Sequence, residues 1–326
     1  MKIIGIGNAL VDVLTQLKDD NLLEELELPR GSMQLVNAER SAQIQQKSKN
    51  LKKQMASGGS AANTIHGLAK LGMETAFIGS VGKDDTGKFF EDDLKKSGIK
   101  PILFYSDSPS GISNVMISPD GERTLGTFLG AALELSAGML SKSNFEGYDI
   151  LHVEGYLVQN HELLETILKL SKAAGLKVSL DLASYNVVED NLDFLHDMVK
   201  NYVDIVFANE EEAKAFSGKE PKEALNHIAT MTDIAIVKIG SKGSMVKQDN
   251  TVTTISPIKA HAVDTTGAGD LYASGFLYGL ANNLDFEKSG YLGSLLSGTV
   301  IEVVGAKFGE DKWKEIGEKL MTLLAK

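Results

Sequence analysis

Four short apolar runs in the second half of the chain alternate with helical segments, at positions 150–153, 177–181, 204–208 and 234–239. Strands separated by helices pair in parallel, because the connection must cross back over the sheet before the next strand begins. A parallel sheet is covered by helices on both faces, so its strands are continuously apolar. We therefore predict an α/β fold with a doubly wound, mostly parallel sheet and helices on both faces.

The composition limits the kind of protein this can be. The 326 residues, 43% hydrophobic and 24% charged, can form one large α/β domain, which we predict to span residues 1–326. A formal net charge of −11 without a basic cluster makes nucleic acid an unsuitable partner. The chain has no cysteine, and its six histidines show no spacing typical of zinc ligands. Because no apolar run reaches 18 residues and no signal-peptide pattern is present, we expect a cytoplasmic protein without a membrane span.

The regular alternation is absent between residues 102 and 127. Short segments there are interrupted by turns rich in serine, proline and glycine, and Pro119-Asp-Gly121 is a hairpin-turn signal. We predict a small β-sheet lid, formed from about 13–36 and 100–128 and inserted in the domain. Arg123 would lie on this lid and face an enclosed phosphate, although an exposed hairpin arginine has the same pattern. The strand edges of such a lid are also a candidate homodimer surface.

The stretch 262–275 carries threonines, small residues and two acids into the first turn of a helix. Asp264 or Thr265 can cap that helix. Three small residues then open it, namely Gly267, Ala268 and Gly269. Their unpaired N–H groups and the helix dipole favour an anion, and Asp270 adds a carboxylate that can act as a base beside a bound phosphate. An ordinary capped helix after a glycine-rich loop is the alternative.

A buried strand at residues 3–6 leads into a loop that carries Asn8 and Asp12. Ligands of open α/β sheets bind beyond the carboxyl ends of the strands, where both side chains would lie. Asp12 could accept hydrogen bonds from two neighbouring hydroxyls of a polyol, although both residues could equally cap the following turn. The run Gly5-Ile-Gly7 does not continue as a dinucleotide fingerprint, because position 10 is leucine instead of the third glycine. A dehydrogenase is therefore disfavoured.

A second glycine-rich helix start follows a helix predicted over residues 37–54. In Ser57-Gly-Gly-Ser-Ala-Ala-Asn63, Gly58 and Gly59 allow the backbone to approach a ligand. Asn63 offers a hydrogen-bond donor and an acceptor one turn later. Close packing between helices would explain the small residues equally well.

Two further loops follow strands of the predicted sheet. Asn209 and Glu212 stand where the strand 204–208 meets a helix, and this pair can hold water around a magnesium ion. Acids also stabilise helix starts, so at least one glutamate here is expected to have that simpler role. After the next strand, the run 237–244 forms a glycine-rich turn without the Gly-Lys-Ser/Thr ending of a Walker A loop.

Three of these motifs occur together in one enzyme family. The glycine run 57–63, the run Asp264-Thr-Thr-Gly-Ala-Gly-Asp270 and the Asn-x-x-Glu pattern at 209–212 make the sequence resemble the ribokinase-like (PfkB) carbohydrate kinases over essentially its whole length. The resemblance implies a single α/β kinase domain that transfers the γ-phosphoryl group of ATP to a primary hydroxyl of a sugar or nucleoside. It makes Asp270 the base for this hydroxyl, and the N–H groups of residues 267–269 the anion hole.

The resemblance also implies binding roles for the other candidate residues. Those that would hold the sugar are Asn8, Asp12, Gly58, Gly59 and Asn63. Those that would organise hydrated Mg²⁺ near the phosphates are Asn209 and Glu212. Those that would line the ATP pocket are Lys238, Gly240, Lys242, Gly243, Gly293 and Ser297. A monovalent cation such as K⁺ would take its mostly carbonyl ligands from Asp264, Thr266, Val300, Val303 and Gly305.

Within the family, the runs 7–12 and 122–132 look most like the adenosine kinase branch. The base of a nucleoside would need an apolar wall, for which the candidates are Leu10, Met33, Leu35 and Leu125. Leu157 stands near the position where an aromatic residue would stack on adenine, with Tyr156 beside it. This difference keeps a plain sugar, such as ribose, fructose or a keto-sugar acid, as an alternative acceptor. A sensor that retains the fold without catalysis is a remote alternative.

Overall fold

The computed structural model describes residues 1–324, within which nine strands form a main sheet and five form a smaller one. The strands are β1 Lys2–Ile6, β2 Leu10–Gln16, β3 Met33–Leu35, β4 Lys53–Gly58, β5 Glu74–Gly82, β6 Ile99–Ser106, β7 Gly111–Ile117, β8 Arg123–Phe128, β9 Ile150–Val153, β10 Lys177–Asp181, β11 Ile205–Asn209, β12 Ile234–Lys238, β13 Ser244–Gln248 and β14 Thr251–Ile255. The α-helices are α1 Asn21–Glu25, α2 Ala38–Lys47, α3 Ser60–Lys70, α4 Asp85–Lys96, α5 His161–Ala173, α6 Tyr185–Asp190, α7 Leu192–Tyr202, α8 Glu210–Ser217, α9 Pro221–Ile228, α10 Ala268–Ala281, α11 Phe286–Val300 and α12 Glu310–Leu324. Short 3₁₀ helices lie at Gly130–Glu134, Ala137–Met139, Lys142–Asn144, Gly155–Gln159 and Gly240–Lys242.

The main sheet is built outwards from β1, which lies between β5 and β9. Its strand order is β14-β13-β12-β11-β10-β9-β1-β5-β6. The neighbouring strands from β6 across to β12 pair in parallel, whereas β13 and β14 extend the edge as an antiparallel hairpin. The predicted doubly wound, mostly parallel sheet is therefore confirmed.

Helices cover both faces of this sheet, so a central strand such as β1 contributes to two apolar clusters. Ile4 of β1 packs in a cluster that contains Leu164 of α5. Its neighbour Ile3 packs on the other face in a cluster that contains Phe276 of α10. Successive side chains of a strand point to opposite faces, which explains why β1 carries buried apolar side chains at neighbouring positions. Among residues 1–324, no helix is both long and apolar enough to cross a bilayer.

The smaller sheet, which we call the lid, has the strand order β3-β8-β7-β2-β4. The predicted lid segments 13–36 and 100–128 contribute most of it, but their boundaries need correction. Residues 99–106 form β6, which pairs along its whole length with β5 in the main sheet. The predicted helix 37–54 ends at Lys47, and residues 53–58 form the lid edge strand β4. The cause is pairing with β2, which a local helical pattern does not reveal.

Strand register gives the lid two different faces. On one face, Asp12 aligns with Ser113, Thr127 and Leu35 on neighbouring strands. The next row on that face consists of Leu14, Val115, Leu125 and Met33. The opposite face is covered by a separate apolar cluster that includes Met116 of β7 and Ile44 of α2. The first face therefore combines one carboxylate, two hydroxyls and a row of apolar side chains.

Candidate active site

The amino end of α10 is formed by the glycine-rich loop predicted to bind an anion. The N-cap is Gly267, in the left-handed conformation with φ of 74° and, within residues 1–324, without a capping side chain. Neither Asp264 nor Thr265 therefore caps the helix, contrary to the prediction, because the loop reaches Gly267 before the helix begins. A Cβ at Gly267 would lie 2.6 Å from the Cβ of Ala306, so this turn requires glycine on steric grounds as well. Ala268 and Gly269 follow in the first turn, where N–H groups have no partner within the helix, and the N–H of Ala268 donates to the carbonyl of Thr265 at 3.2 Å.

Asp270 is held by two side chains of α3. Its Oδ1 accepts a hydrogen bond from the hydroxyl of Ser60 at 2.8 Å, and its Oδ2 accepts one from Nδ2 of Asn63 at 3.0 Å. Burial raises the pKa of Asp270 to about 6, although the bonds from Asn63 and Ser60 act in the opposite direction. The glycine-rich starts of α3 and α10 thus meet, and the carboxylate between them has a pKa suited to a general base near neutral pH.

Asn63 uses only half of its side-chain amide in this contact. Its Oδ1 is buried and has no hydrogen-bond partner among residues 1–324. A buried acceptor without a donor is costly, so such an atom beside a candidate base is a natural place for a ligand hydroxyl.

Lys238 and Asp181 form a nearly buried ion pair next to the anion-binding turn. The two charged groups are 3.1 Å apart, and their side chains are 15% and 10% exposed. A Cβ at Gly269 would lie 3.0 Å from Nζ of Lys238, which places the ammonium against the first turn of α10. Burial alone would lower the pKa of Lys238, but nearby carboxylates, chiefly that of Asp181, raise it above the ordinary lysine value. The positive end of a helix normally disfavours a cation, so this arrangement suits a bound anion.

Asn209 and Glu212 form a reciprocal capping box at the start of α8. Backbone N–H and Nδ2 of Asn209 donate to the Glu212 carboxylate at 2.8 and 2.7 Å, and the Glu212 N–H donates back to Oδ1 at 2.8 Å. Burial and the charge of Asp181 raise the pKa of Glu212 to about 7. The simpler capping role is therefore present, and the carboxylate also belongs to the charged group around Lys238.

The other residues predicted to line the ATP pocket lie in two places, the turn after β12 and the helix α11. Gly240, Lys242 and Gly243 form the turn after β12, where Lys242 is exposed and both glycines have positive φ. Gly293 lies in α11 with its Cα facing Tyr272, so helix packing already explains a glycine there. Ser297 is half-buried one turn further along α11.

Asp12 of β2 lies on the lid face described above, next to the edge strand β4. A Cβ at Gly58 would lie 2.6 Å from the carboxyl carbon of Asp12, so this close approach requires glycine. Burial raises the pKa of Asp12 to about 6, and the charges of Arg123 and Lys307 oppose that rise. Asp12 can therefore be ionised at neutral pH and accept hydrogen bonds from hydroxyl groups.

The side chain of Asn8 is hydrogen-bonded to Glu154, a residue to which the sequence analysis assigned no role. Its Nδ2 donates to Oε1 of Glu154 at 2.6 Å, and the N–H of Ala61 donates to Oε2 at 3.2 Å. Burial raises the pKa of Glu154 to about 7. Gly59, at φ of 96°, packs against the backbone oxygen of Asn8. Glu154 follows β9 directly, and an acid immediately after a buried strand was the available signal.

Arg123 joins the lid to the loop before α10. Its Nη1 donates to Oδ2 of Asp264 at 2.6 Å and also to the hydroxyl of Thr266. Gly305 donates its N–H to the same Asp264 oxygen at 2.7 Å, while Val303 lies two residues earlier and donates to the carbonyl of Val300. The residues predicted to bind a monovalent cation thus lie around the Asp264 carboxylate, which already forms an ion pair with the Arg123 guanidinium.

The predicted apolar wall lies on the lid. Leu10 and Leu125 are half-buried, whereas Met33 and Leu35 are 54% and 62% exposed. Leu157 is buried in the main core, so its side chain is not available for contact with a base, and Tyr156 beside it is half-buried. The four residues predicted to form the wall are therefore aliphatic side chains of the lid, and their contact with a base stays a prediction.

Comparison with known proteins gives the family. Residues 32–313 match the model of the pfkB family of carbohydrate kinases. The structure is similar to a probable sugar kinase protein from Rhizobium etli CFN 42, with 31% identity, a TM-score of 0.87 and coverage of 99% of this chain and 98% of that one. It is also similar to an adenosine kinase from Sinorhizobium meliloti, with 30% identity, a TM-score of 0.86 and coverage of 98% and 99%. An uncharacterized sugar kinase of Archaeoglobus fulgidus is 27% identical over 249 residues, which are 74% of this chain and 97% of the relative. The predicted family is confirmed, and the chain belongs to the pfkB carbohydrate kinases, which are ATP-dependent kinases of sugar or nucleoside hydroxyls.

Proposed function

We propose that this kinase phosphorylates the primary hydroxyl of a nucleoside, with Asp270 as the base. The observation that supports a nucleoside as the acceptor is the composition of the lid face. Asp12 suits the hydroxyls of a ribose, and the accessible members of the adjacent row, Leu14, Leu125 and Met33, suit a flat apolar base. The similarity to an adenosine kinase at 30% identity supports the same choice.

In this proposal the acceptor hydroxyl binds between Asp270 and the unpartnered Oδ1 of Asn63. Asp270 takes the hydroxyl proton while the acceptor oxygen forms its bond to the γ-phosphorus and the bond from that phosphorus to ADP breaks. The N–H groups of residues 267–269 and the ammonium of Lys238 stabilise the negative charge on the transferring group. Ser60 and Asn63 keep the base oriented.

Kinases of this family use Mg²⁺ with ATP, and the charged group around Lys238 fits a hydrated ion. Asp181, Glu212 and Asp270 supply three carboxylates to one ammonium, and their mutual repulsion contributes to the raised pKa values of Glu212 and Asp270. Asn209 and Glu212 would bind the water shell of the ion, because Mg²⁺ keeps several waters. When bound, the ion would neutralise phosphate charge. Within residues 1–324, no cluster of three or more histidine, cysteine, aspartate or glutamate residues is arranged to bind a metal directly.

A K⁺ site beside the anion hole stays a prediction. Its ligands would be mostly carbonyl groups, taken from Asp264, Thr266, Val300, Val303 and Gly305, because the Asp264 carboxylate itself already accepts from Arg123, Thr266 and Gly305. Activity in K⁺ compared with tetramethylammonium at equal ionic strength tests it.

Homodimerisation through the lid edges and a cytoplasmic location also stay predictions. Light scattering tests homodimerisation.

A plain sugar is the second candidate acceptor. The buried position of Leu157 favours it, because an aromatic platform for adenine is missing at that residue. The similarity to a probable sugar kinase at 31% identity points the same way.

A coupled ADP-release assay distinguishes the candidates. The acceptors are adenosine, inosine, ribose, fructose and fructose phosphates at equal concentration. We expect kcat/KM for a nucleoside to exceed that for ribose by about tenfold or more, because contact of the base with the lid adds apolar burial. Higher kcat/KM for a free sugar would select the second candidate. Binding of a nucleoside without ADP release would instead indicate a sensor.

A further inference from the structure

The segment 305–307, between α11 and α12, touches both the loop before α10 and the lid. The N–H of Gly305 donates to Asp264, and Ala306 packs against Gly267 at the amino end of α10. Lys307 reaches in another direction, to β4 of the lid and to α4. Sequence patterns gave this lysine no role.

Lys307 makes a compact buried contact. Its Nζ donates to the hydroxyl of Ser57 at 2.6 Å and to Oδ2 of Asp93 at 2.9 Å. The same Asp93 oxygen accepts from the N–H and the hydroxyl of Ser57 at 3.1 and 2.6 Å. The Lys307 and Asp93 side chains are only 19% and 25% exposed. A lysine that is mostly removed from water and bound on two sides is costly to place and has a fixed geometry.

This contact holds β4, the edge strand that pairs with β2, on which Asp12 lies. Ser57 pairs with Val11 on β2, and the next residue, Gly58, supports the Asp12 carboxylate. The charged groups that act on Asp12 are Arg123 from β8 and Lys307 from the segment before α12, and both lower its pKa. Each of these cations also pairs with another carboxylate, Arg123 with Asp264 and Lys307 with Asp93. Lys307 therefore influences both the position and the charge of Asp12.

We propose that Lys307 is a positioning residue for the acceptor, which acts through Ser57 and Asp12 without touching the reacting atoms. The inference rests on the proposed function, in which Asp12 accepts hydrogen bonds from the acceptor. Loss of Lys307 weakens acceptor binding, because it frees the β4 edge and favours protonation of Asp12. The phosphoryl-transfer machinery around Asp270 is untouched.

A double-mutant cycle between Lys307→Met and Asp12→Asn tests this coupling. In the wild-type background, Lys307→Met should raise the acceptor KM about 5- to 30-fold, with kcat within about threefold. In the Asp12→Asn background, the same change should raise the acceptor KM less than about twofold. Equal effects in both backgrounds, or an unchanged KM in the first, would overturn the inference.

The pH dependence of the acceptor KM tests the effect of Lys307 on the charge of Asp12, because a purely structural role of Lys307 would not shift this dependence. The ionised Asp12 carboxylate accepts stronger hydrogen bonds from hydroxyls than its protonated form, so the wild-type acceptor KM should rise as pH falls through about 6. Without the Lys307 ammonium the pKa of Asp12 is higher, so the rise should begin at higher pH, and Lys307→Arg should restore it. A variant that unfolds early but keeps the wild-type profile would contradict the proposal.

Two controls separate this inference from the proposed function. Lys172 also bonds to an aspartate, Asp204, at 2.9 Å, at the amino end of β11 and opposite the end that carries the candidate site. Lys172→Met should therefore leave the acceptor KM unchanged. Activity of the wild type that Asp270→Asn abolishes would uphold the proposed function even where Lys307→Met has no effect.

Discussion

Asn63 donates its side-chain amide to the carboxylate of Asp270 across 3.0 Å, although the two residues are 207 positions apart. The bond joins the first turns of α3 and α10, each of which follows a glycine with positive φ. Because the amide donates to a carboxylate, it fixes the base and opposes the rise of its pKa that burial causes.

Asp270→Asn should lower kcat roughly 10²- to 10⁴-fold, because the amide keeps the size of the side chain but cannot accept the hydroxyl proton. The nucleotide dissociation constant should stay within a few-fold of wild type, as measured by isothermal titration calorimetry. Asp249→Asn, at a left-handed position in the β13–β14 turn, is the control and should retain full activity. Activity of Asp270→Asn within a few-fold of wild type would remove this residue from its role.

The acidic limb of the kcat–pH profile should reflect the pKa of Asp270 and should shift when Asn63 is replaced. Wild-type kcat should fall as pH decreases through about 6, since a protonated carboxyl cannot act as a base. Asn63→Ala removes a bond that lowers this pKa, so the limb should move to higher pH. Steady-state kcat from pH 5 to 9 at saturating substrates measures it. A limb that moves to lower pH would contradict the assignment.

Lys238→Met should lower kcat by roughly 10²- to 10³-fold, a magnitude typical for loss of a group that stabilises charge in the transition state. The reason is that its ammonium lies against Gly269, where the transferring group would carry negative charge. Lys247→Met, on β13 and bonded to Asn226, is the matched control. Equal kinetics of the two variants would exclude a role of Lys238 in phosphoryl transfer.

Arg123→Met should destabilise the protein by about 3 kcal/mol, because it leaves Asp264 buried without its guanidinium. The two side chains are 8% and 5% exposed. Urea unfolding at pH 7 gives the free energy, and the double variant Arg123→Met/Asp264→Asn should lose less than the sum of the two single changes. Burial alone would raise the pKa of Asp264, but bonds from Gly305, Thr266 and Arg123 hold it below its usual value. The stability that this ionised state contributes should therefore decline as pH falls below the ordinary aspartate range.

Gly275→Ala should destabilise the α10–α11 crossing by about 1–3 kcal/mol through overpacking. A Cβ at Gly275 would lie 2.6 Å from the backbone nitrogen of Gly293, and backbone atoms cannot move aside cheaply. Gly317→Ala, in α12 with open space around it, should instead stabilise the protein by about 0.5–1 kcal/mol. Thermal unfolding of the pair measures both, and a shift of equal sign would refute the packing argument.

Local patterns predicted the main sheet and the two glycine-rich helix starts, because both depend on residues close in sequence. They failed at β4, where a strand exists only because β2 is available to pair with it. They also missed Glu154, Asp181 and Lys307, whose surroundings come from distant segments. Asn8 illustrates the same limit, since its polar side chain was recognised but its carboxylate partner lies 146 positions away. Residue types and local order could therefore be predicted, whereas contacts between distant segments could not.

The central position of β1 has a consequence for synthesis of the chain. Its two partners are β5 and β9, so Ile3 gains a neighbour at Thr75 and a second at Ile150. Until β9 leaves the ribosome, the β9-facing edge of β1 has unsatisfied backbone groups that could pair with other nascent chains. Slower translation before residue 150 should therefore increase aggregation more than slower translation after it.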